Sequence, residues 1–132
     1  MIRTPVALTL IILATPALAN AVLPIDAIFG NDAGCDFFMT GERAREDFVV
    51  LTPDTFTTSA MGCYFEERLI QNEADVFTVA ASCGAQGEDT AQETITVSLE
   101  DDAYSVSFGD LTWGPLVECP GTAELFERGV QI

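Results

Sequence analysis

The chain of 132 residues contains no histidine and no lysine: its five basic residues are all arginines, against 21 acidic residues. Without histidine, the chain can form neither a Ser-His-Asp triad nor a Cys-His pair. Without lysine, it can form no Schiff base, no Ser-Lys dyad and no phosphate-binding P-loop. These absences exclude several classes of nucleophilic catalysis and predict a protein that is not an enzyme.

Acidic residues are abundant but follow no catalytic or metal-binding pattern. Paired carboxylates can hydrolyse glycosides, so a small carboxylate-dependent hydrolase stays open as an alternative. Calcium binds carboxylate oxygens, yet no acidic cluster has the spacing of an EF-hand loop. We therefore predict no metal site and no cofactor. The clusters are Glu100-Asp101-Asp102, Gly87-Glu88-Asp89 and Asn31-Asp32.

The net charge of −16 at pH 7 limits the possible partners. A polyanion is repelled by phosphate backbones and by anionic membrane surfaces, so we expect no nucleic-acid partner. A partner attracted through charge must be cationic, either a protein or a smaller ligand. The acidity also fits a simpler interpretation, in which it keeps a small exported protein soluble and monomeric.

Long apolar runs are missing except near the start of the chain. Arg3 precedes an apolar run from Val6 to Ala14, and Ala17-Leu18-Ala19 places small residues where a signal peptidase cuts. The run is about half of the roughly 20 residues that a spanning helix needs. We therefore predict a signal peptide over residues 1–19, cleavage before Asn20, and a periplasmic or secreted domain over residues 20–132. We expect no membrane insertion of the mature chain.

Cysteine is sparse, and all four cysteines lie in the predicted mature domain. An even number in an exported chain predicts two disulfides, and the absence of a C-x-x-C pair argues against a metal cluster. Four cysteines allow three pairings, and the sequence does not decide between them. We prefer Cys63–Cys83, near one hairpin, and Cys35–Cys119, joining the first predicted strand to the last.

Apolar residues alternate with polar ones over much of the chain. Ile95, Val97 and Leu99, and then Val106 and Phe108, alternate with threonine and serine, which predicts a half-buried hairpin. A spacing of about ten residues between strands is typical of a small all-β domain, either an up-and-down antiparallel barrel or a sandwich. We predict seven strands, at residues 35–40, 47–52, 56–66, 75–83, 92–99, 103–109 and 112–118.

Short helices are predicted at both ends of the domain. Pro24 suits the first turn of a helix that Gly30 ends, and Thr122 suits the cap of a terminal helix that Gly129 ends. In an up-and-down order, alternate loops share one end of the sheet. We therefore expect three loops to meet, 41–46, 67–74 and 100–102, and to bring together Arg43, Arg45 and Arg68.

Three residues are candidates for binding a partner: Trp113, Leu116 and Tyr64. Trp113 is the one tryptophan and is followed by Gly114-Pro115, which breaks a strand. Tryptophan is enriched in interface hot spots, but in a small β domain it also serves as a core plug, and both interpretations stay open. In a regular strand Tyr64 faces away from both of its neighbours, which predicts an exposed aromatic ring.

Several short motifs resemble small secreted proteins of alphaproteobacteria that carry four cysteines. They are Gly34-Cys35, Thr40-Gly41-Glu42, Leu51-Thr52-Pro53, Gly62-Cys63, Phe65-Glu66, Ser82-Cys83, Trp113-Gly114 and Cys119-Pro120. The resemblance implies a periplasmic four-cysteine β domain and no particular activity. Periplasmic lysozyme inhibitors are also small β-barrels, but their serine and lysine, or their Ser-Gly-x-x-Tyr loop, have no counterpart here.

The sequence as a whole predicts an exported, non-catalytic binding domain, in the manner of an inhibitor, for a cationic or protein partner. One alternative is an accessory structural subunit of an envelope complex, with the segment from Trp113 to Leu116 as its docking surface. The other is the carboxylate-dependent hydrolase.

Overall fold

The computed structural model describes residues 23–42, 47–66, 70–85 and 88–129. The predicted signal peptide and the three arginines expected at one end of the sheet lie outside these ranges. The elements, in chain order, are β1 (Phe29–Gly30), α1 (Asp32–Thr40), β2 (Val49–Leu51), β3 (Thr55–Thr58), β4 (Gly62–Phe65), β5 (Ile70–Glu73), β6 (Val76–Gly84), β7 (Ala91–Glu100), β8 (Ala103–Phe108), β9 (Leu111–Glu118) and α2 (Thr122–Glu127).

The strands form a closed antiparallel barrel. Their order is β4-β3-β2-β1-β9-β8-β7-β6-β5, and β4 also pairs with β6. Because β4 pairs with residues 81–84 and β5 with residues 76–78, the two lie end to end along β6 as one interrupted strand. The result is an eight-stranded barrel in up-and-down order. The predicted all-β fold is confirmed, in its barrel form.

The barrel interior is filled by the inward-facing residues that the period-two pattern predicted. Ile95 and Val97 of β7 and Val106 of β8 have no exposed surface, and their serine and threonine neighbours are half-buried or exposed. Phe56 of β3 and Phe65 of β4 are buried in the same interior. Alternation identifies these strands because successive side chains point to opposite faces of a sheet.

A second, smaller core lies outside the barrel wall. Ile28, Phe48 and Val50 are buried there with Cys35 and Cys119. Aromatic residues of the two helices cover this cluster: Phe37 and Phe38 from α1 and Phe126 from α2. The outer core therefore fastens both helices to the wall that contains β1 and β2.

Both disulfides have the preferred pairing. Cys63 and Cys83 are register partners on β4 and β6, with 4.1 Å between their Cα atoms. Cys35 of α1 is bonded to Cys119, which directly follows β9, across 84 residues of sequence. Two disulfides in a small domain are typical of a protein that folds in an oxidising compartment.

The predictions for residues 24–30 and 35–40 are wrong. Residues 35–40 form part of α1 because the Asn31 side chain accepts a hydrogen bond from Gly34 N at 2.7 Å and so caps a helix. Residues 24–30 form no helix, since Leu23 and Ile25 are buried in the barrel core and Phe29–Gly30 is β1.

Three finer predictions also need correction. The strand expected over residues 56–66 is divided, because Thr58 Oγ1 accepts hydrogen bonds from Ala60 N and Met61 N in a tight turn. Thr122 is the first residue of α2 and not its cap, and its buried hydroxyl donates to Cys119 O. Because residues 56–66 form two strands and not one, the chain crosses the barrel once more than expected, so the connection from β1 to β2, which contains Glu42, and the turn at 101–102 join strands at opposite ends of the barrel.

None of the helices in the described part of the chain is long and apolar enough to cross a membrane.

Candidate functional site

A cleft opens in the barrel wall because β1 has only two residues. On one side β1 pairs with Val117 and Glu118 of β9, and on the other with Val50 and Leu51 of β2. Beyond Gly30, no described strand continues between β9 and β2. We call the resulting opening the seam cleft.

Asn31 ends β1 and turns the chain away from the barrel. Its Oδ1 accepts hydrogen bonds from Gly34 N at 2.7 Å and Val49 N at 3.0 Å, and its Nδ2 donates to Asp47 O. A single side chain therefore caps α1 and holds the start of β2. Gly34 is required by this close contact, since a Cβ at this position would lie 1.9 Å from Val49 O. The chain consequently enters a helix where a longer β1 would have closed the wall.

The seam cleft has a volume of about 490 Å³, within the usual range of about 300–1,000 Å³ for ligand sites. One flank is formed by β9 from Leu111 to Leu116. The other is formed by Asn31, residues 47–49 and the turn at residues 58–61. Most of the larger side chains in this lining are apolar or aromatic: Phe48, Met61, Leu111, Trp113, Pro115 and Leu116.

Trp113 is half-buried and forms part of the cleft wall. Its ring stacks on Phe108 and meets Phe56 edge to face, with 5.3 Å between ring centroids in each pair. Among the described residues its indole N–H has no hydrogen-bond partner, and it is not one of the buried polar atoms. Trp113 thus packs against the core, and its N–H can also reach a ligand. The interpretation of Trp113 as a core residue is thereby supported, and its role in binding a partner stays a prediction.

The structure brings two of the three candidate binding residues together and leaves the third apart. Leu116 lines the cleft but is only 1% exposed, so it contributes mainly to the barrel core. Tyr64 is 66% exposed and faces away from Cys63 and Phe65 as expected, but it is not among the residues that line the cleft. A binding role for Tyr64 stays a prediction.

The sequence analysis missed Leu111, which is 56% exposed at the mouth of the cleft. Leu111 directly follows the turn at Gly109-Asp110 and lies two residues before Trp113. In a regular strand it is therefore on the same face as Trp113, and this spacing was the signal in the sequence. A large apolar residue is seldom left uncovered without reason when others surround it.

A β-bulge at Gly114-Pro115 shapes the same strand. Two residues of β9 lie opposite Ser105, between the pairs Val106↔Trp113 and Tyr104↔Leu116. Gly114 is needed here because its φ is 150° and a Cβ would lie 2.8 Å from Ser105 Oγ. The bulge shifts the alternation by one residue, so that both Trp113 and Leu116 face the interior.

Acidic residues lie in the cleft and in a neighbouring hollow. Asp47 lines it, and Glu100 and Asp101 line a shallow hollow that shares Gly114 and Pro115 with it. Arg128, which directly follows α2, is the one basic side chain among the described residues, and its guanidinium lies 4.0 Å from the carboxylate of Glu124. No basic residue therefore lines either hollow in the described part of the chain.

The described residues contain no group of three or more His, Cys, Asp or Glu side chains that could hold a metal ion. Comparison with known proteins gave no match to a family model, to a curated protein or to a solved structure. The geometry and charge of the seam cleft are therefore the basis on which its function can be argued.

Proposed function

We propose that this chain is an exported, non-catalytic binding domain whose seam cleft receives a cationic segment of a partner protein. The observation that carries the proposal is the cleft itself: an opening in the barrel wall, lined by Trp113 and Leu111 and by one acidic residue, Asp47. Its export as a periplasmic protein is supported by the predicted signal peptide, by the resemblance to secreted four-cysteine proteins and by the two disulfides.

The lining of the cleft suits recognition of a side chain. Binding sites combine apolar walls with a few polar groups that fix orientation, and tryptophan is enriched among the residues that dominate binding energy. Here Trp113 supplies both an apolar ring and a free N–H, while Leu111 offers apolar surface at the entrance. An apolar or aliphatic side chain of the partner would be covered on several sides.

The negative charge of the protein surface favours a cationic partner. Of the 21 acidic residues, only Glu46 and Glu67 lie outside the described ranges, so the described surface is strongly anionic. Electrostatic complementarity speeds encounter and rejects partners of the same sign more than it adds affinity. A cationic segment would be attracted over the whole surface and then held by the apolar cleft.

A second candidate function is an accessory subunit of an envelope complex. It is favoured by the exposure of two apolar residues on β9, Leu111 at 56% and Val117 at 48%. In that case the apolar surface of β9 would dominate the contact, and charge would contribute little.

The experiment is a capture assay with immobilised residues 20–132 and periplasmic extract of the native host, at low and at physiological salt. Surface electrostatics are screened over a Debye length of about 8 Å at physiological ionic strength. We expect capture of a basic protein that weakens as salt rises. Capture that does not change with salt would instead favour the accessory-subunit function.

Two matched variants locate the surface. Leu111→Arg places a positive charge at the cleft, and Thr94→Arg adds the same charge to an exposed position of β7 that does not line it. Both change the net charge equally, so only a local effect separates them. We expect Leu111→Arg to lose capture and Thr94→Arg to retain it. Equal capture by the two variants would refute the seam cleft as the binding site.

A further inference from the structure

The edge of β9 that faces the seam cleft has main-chain groups without a strand partner. Phe108 and Leu111 flank the two-residue turn at Gly109-Asp110 and are register partners. In antiparallel pairs, hydrogen-bonded and non-hydrogen-bonded positions alternate. Leu111 and Trp113 therefore bond across to β8, whereas the N–H and C=O of Thr112 point toward the cleft. No described strand pairs with this edge before Val117.

The opposite flank differs, because its main-chain groups already have partners. Val49 O accepts from Asn31 N at 3.2 Å, and Phe48 O accepts from Ser59 N at 3.1 Å. Asp47 O accepts from the Asn31 side chain. A segment entering the cleft would therefore find hydrogen-bonding groups on the β9 flank and apolar surface on the other.

We propose that the partner binds by strand addition: an extended basic segment pairs with β9 and occupies the position that β1 leaves vacant beyond Gly30. This inference rests on the proposed function and specifies its mode. In such recognition the main chain provides affinity and alternate side chains provide specificity. One set of side chains would enter the cleft over Trp113, and the other set, basic in character, would face solvent near Asp47 and Asp110.

The bulge sets the length of the added strand. Pro115 has no N–H, and bulges and prolines are devices that limit pairing at an exposed edge. Pairing is therefore confined to the part of β9 from Leu111 to Gly114. A short edge of this kind suits a reversible contact with a partner segment and not an extended sheet.

Charge argues against a second copy of this chain as the occupant. Each copy has a net charge of −16, so two edges brought together would repel each other. A basic segment is attracted instead, since Asp47 lines the cleft, Glu100 and Asp101 line the neighbouring hollow, and no described basic side chain lines either.

The test uses two synthetic cationic peptides of about six residues, a typical strand length. Both alternate arginine with valine, but in the second the alternate amides are N-methylated. Methylation keeps the charges and side chains while removing the donors that a strand needs. We expect the unmethylated peptide to bind more tightly by about tenfold or more, the amount expected from losing one or two hydrogen bonds.

Variants of Thr112 test the same main-chain pairing by changing the protein instead of the peptide. Thr112→Pro removes the N–H that faces the cleft and leaves the ladder to β8 intact, whereas Thr112→Val changes only an exposed side chain. We expect Thr112→Pro to bind the unmethylated peptide more weakly than the natural chain does, because the bond from the Thr112 N–H is lost while its C=O can still accept, and we expect Thr112→Val to bind like the natural chain. If Thr112→Pro does not fold, the wild-type amide of Thr112 still gives a readout, since its hydrogen exchange must slow when the unmethylated peptide binds.

The possible outcomes distinguish a failure of strand addition from a failure of the proposed cationic-binding function. Equal binding of the two peptides to the natural chain would overturn strand addition, while the cationic-binding function would stand. Binding of neither peptide at low salt would overturn both. A dimer of the free protein that Thr112→Pro dissolves would identify a second copy as the occupant and overturn the proposal of a partner.

Discussion

The wall of the barrel around β6 and β7 and the wall around β1 are held together in different ways. β6 and β7 pair at eight positions, from Val76↔Ser98 to Cys83↔Ala91. β1 pairs at two positions with each of its neighbours. The first wall is stabilised by its own ladder, whereas the second depends on α1, α2 and the outer core that covers it. The candidate binding site lies where the ladder is shortest.

The two disulfides follow the same division. Cys63–Cys83 joins strands that are already hydrogen-bonded neighbours, so it adds covalent strength to a paired region. Cys35–Cys119 joins a helix to the segment after β9, which no ladder connects. The disulfide that closes the longer loop therefore lies in the wall with little main-chain pairing.

Removing each disulfide in turn should give the largest effects and sharpen the comparison. The closed loops span 84 residues for Cys35–Cys119 and 20 for Cys63–Cys83. Loop-closure entropy then assigns about 4.5 kcal/mol to the first and about 3.3 kcal/mol to the second. We expect the paired alanine replacement at Cys35 and Cys119 to lower the free energy of unfolding more, as measured by urea titration. The reverse order would contradict the idea that the β1 wall relies on its disulfide.

Gly34→Ala should weaken the β1 wall without touching a disulfide. The new Cβ would lie 1.9 Å from Val49 O, so α1 must move away from β2. Overpacking of this kind costs about 1–3 kcal/mol. Gly62→Ala on β4 is the control, since nothing lies within 4 Å of its Cβ position, and it should change stability by no more than about 0.5 kcal/mol. Both values come from thermal or urea unfolding, and similar losses for the two variants would argue against tight contact of α1 with β2.

The sequence predicted the well-paired wall far better than the other. Strands β6, β7 and β8 could be identified because a buried face alternates with a half-exposed one, as in Ile95, Val97 and Val106. The same pattern led us to prefer Cys63–Cys83 among the three possible pairings, and the structure has that pairing. These features are local, so a single sequence can reveal them.

The β1 wall was predicted less well, because local caps were overlooked and distant contacts decide the rest. The short, mostly apolar segment 35–40 was predicted as a strand, yet Asn31 at one end and Gly41 in the left-handed region at the other make it part of a helix. Those two caps were visible in the sequence and were given too little weight. The cleft itself depends on hydrogen bonds from Asn31 to Asp47 and Val49, and no local pattern reveals them.

Alkaline pH should destabilise the barrel through Tyr104. Its ring packs edge to face against Phe29 of β1, with 4.6 Å between the ring centroids. Burial, followed by the negative charges of Asp26 and Asp75, raises the pKa of Tyr104 above its ordinary value of 10.0. The folded state therefore keeps the phenol proton more firmly than the unfolded state. Stability from this group is complete below about pH 10 and falls as pH rises through the folded-state pKa.

The chain suits this measurement because it has no lysine and no free cysteine among the described residues. We expect the melting temperature of the natural chain to fall above about pH 10 and that of Tyr104→Phe to fall less, since the phenol that must ionise is gone. Tyr64→Phe, at an exposed position, should behave like the natural chain. Parallel curves for all three proteins would show that Tyr104 does not couple the barrel to alkaline pH.

Hydrogen exchange of the free protein, resolved residue by residue, tests the central claim that the barrel wall is open beside β9. Val97 has strand partners on both sides, in Phe77 and Val106, and its amide should exchange only through global unfolding. Thr112 has Ser107 on one side and no described strand on the other. Its amide should therefore exchange at nearly the rate of an unstructured chain. Protection of Thr112 comparable to that of Val97 would show that another segment covers this edge, and would contradict both the open seam and the binding mode proposed for it.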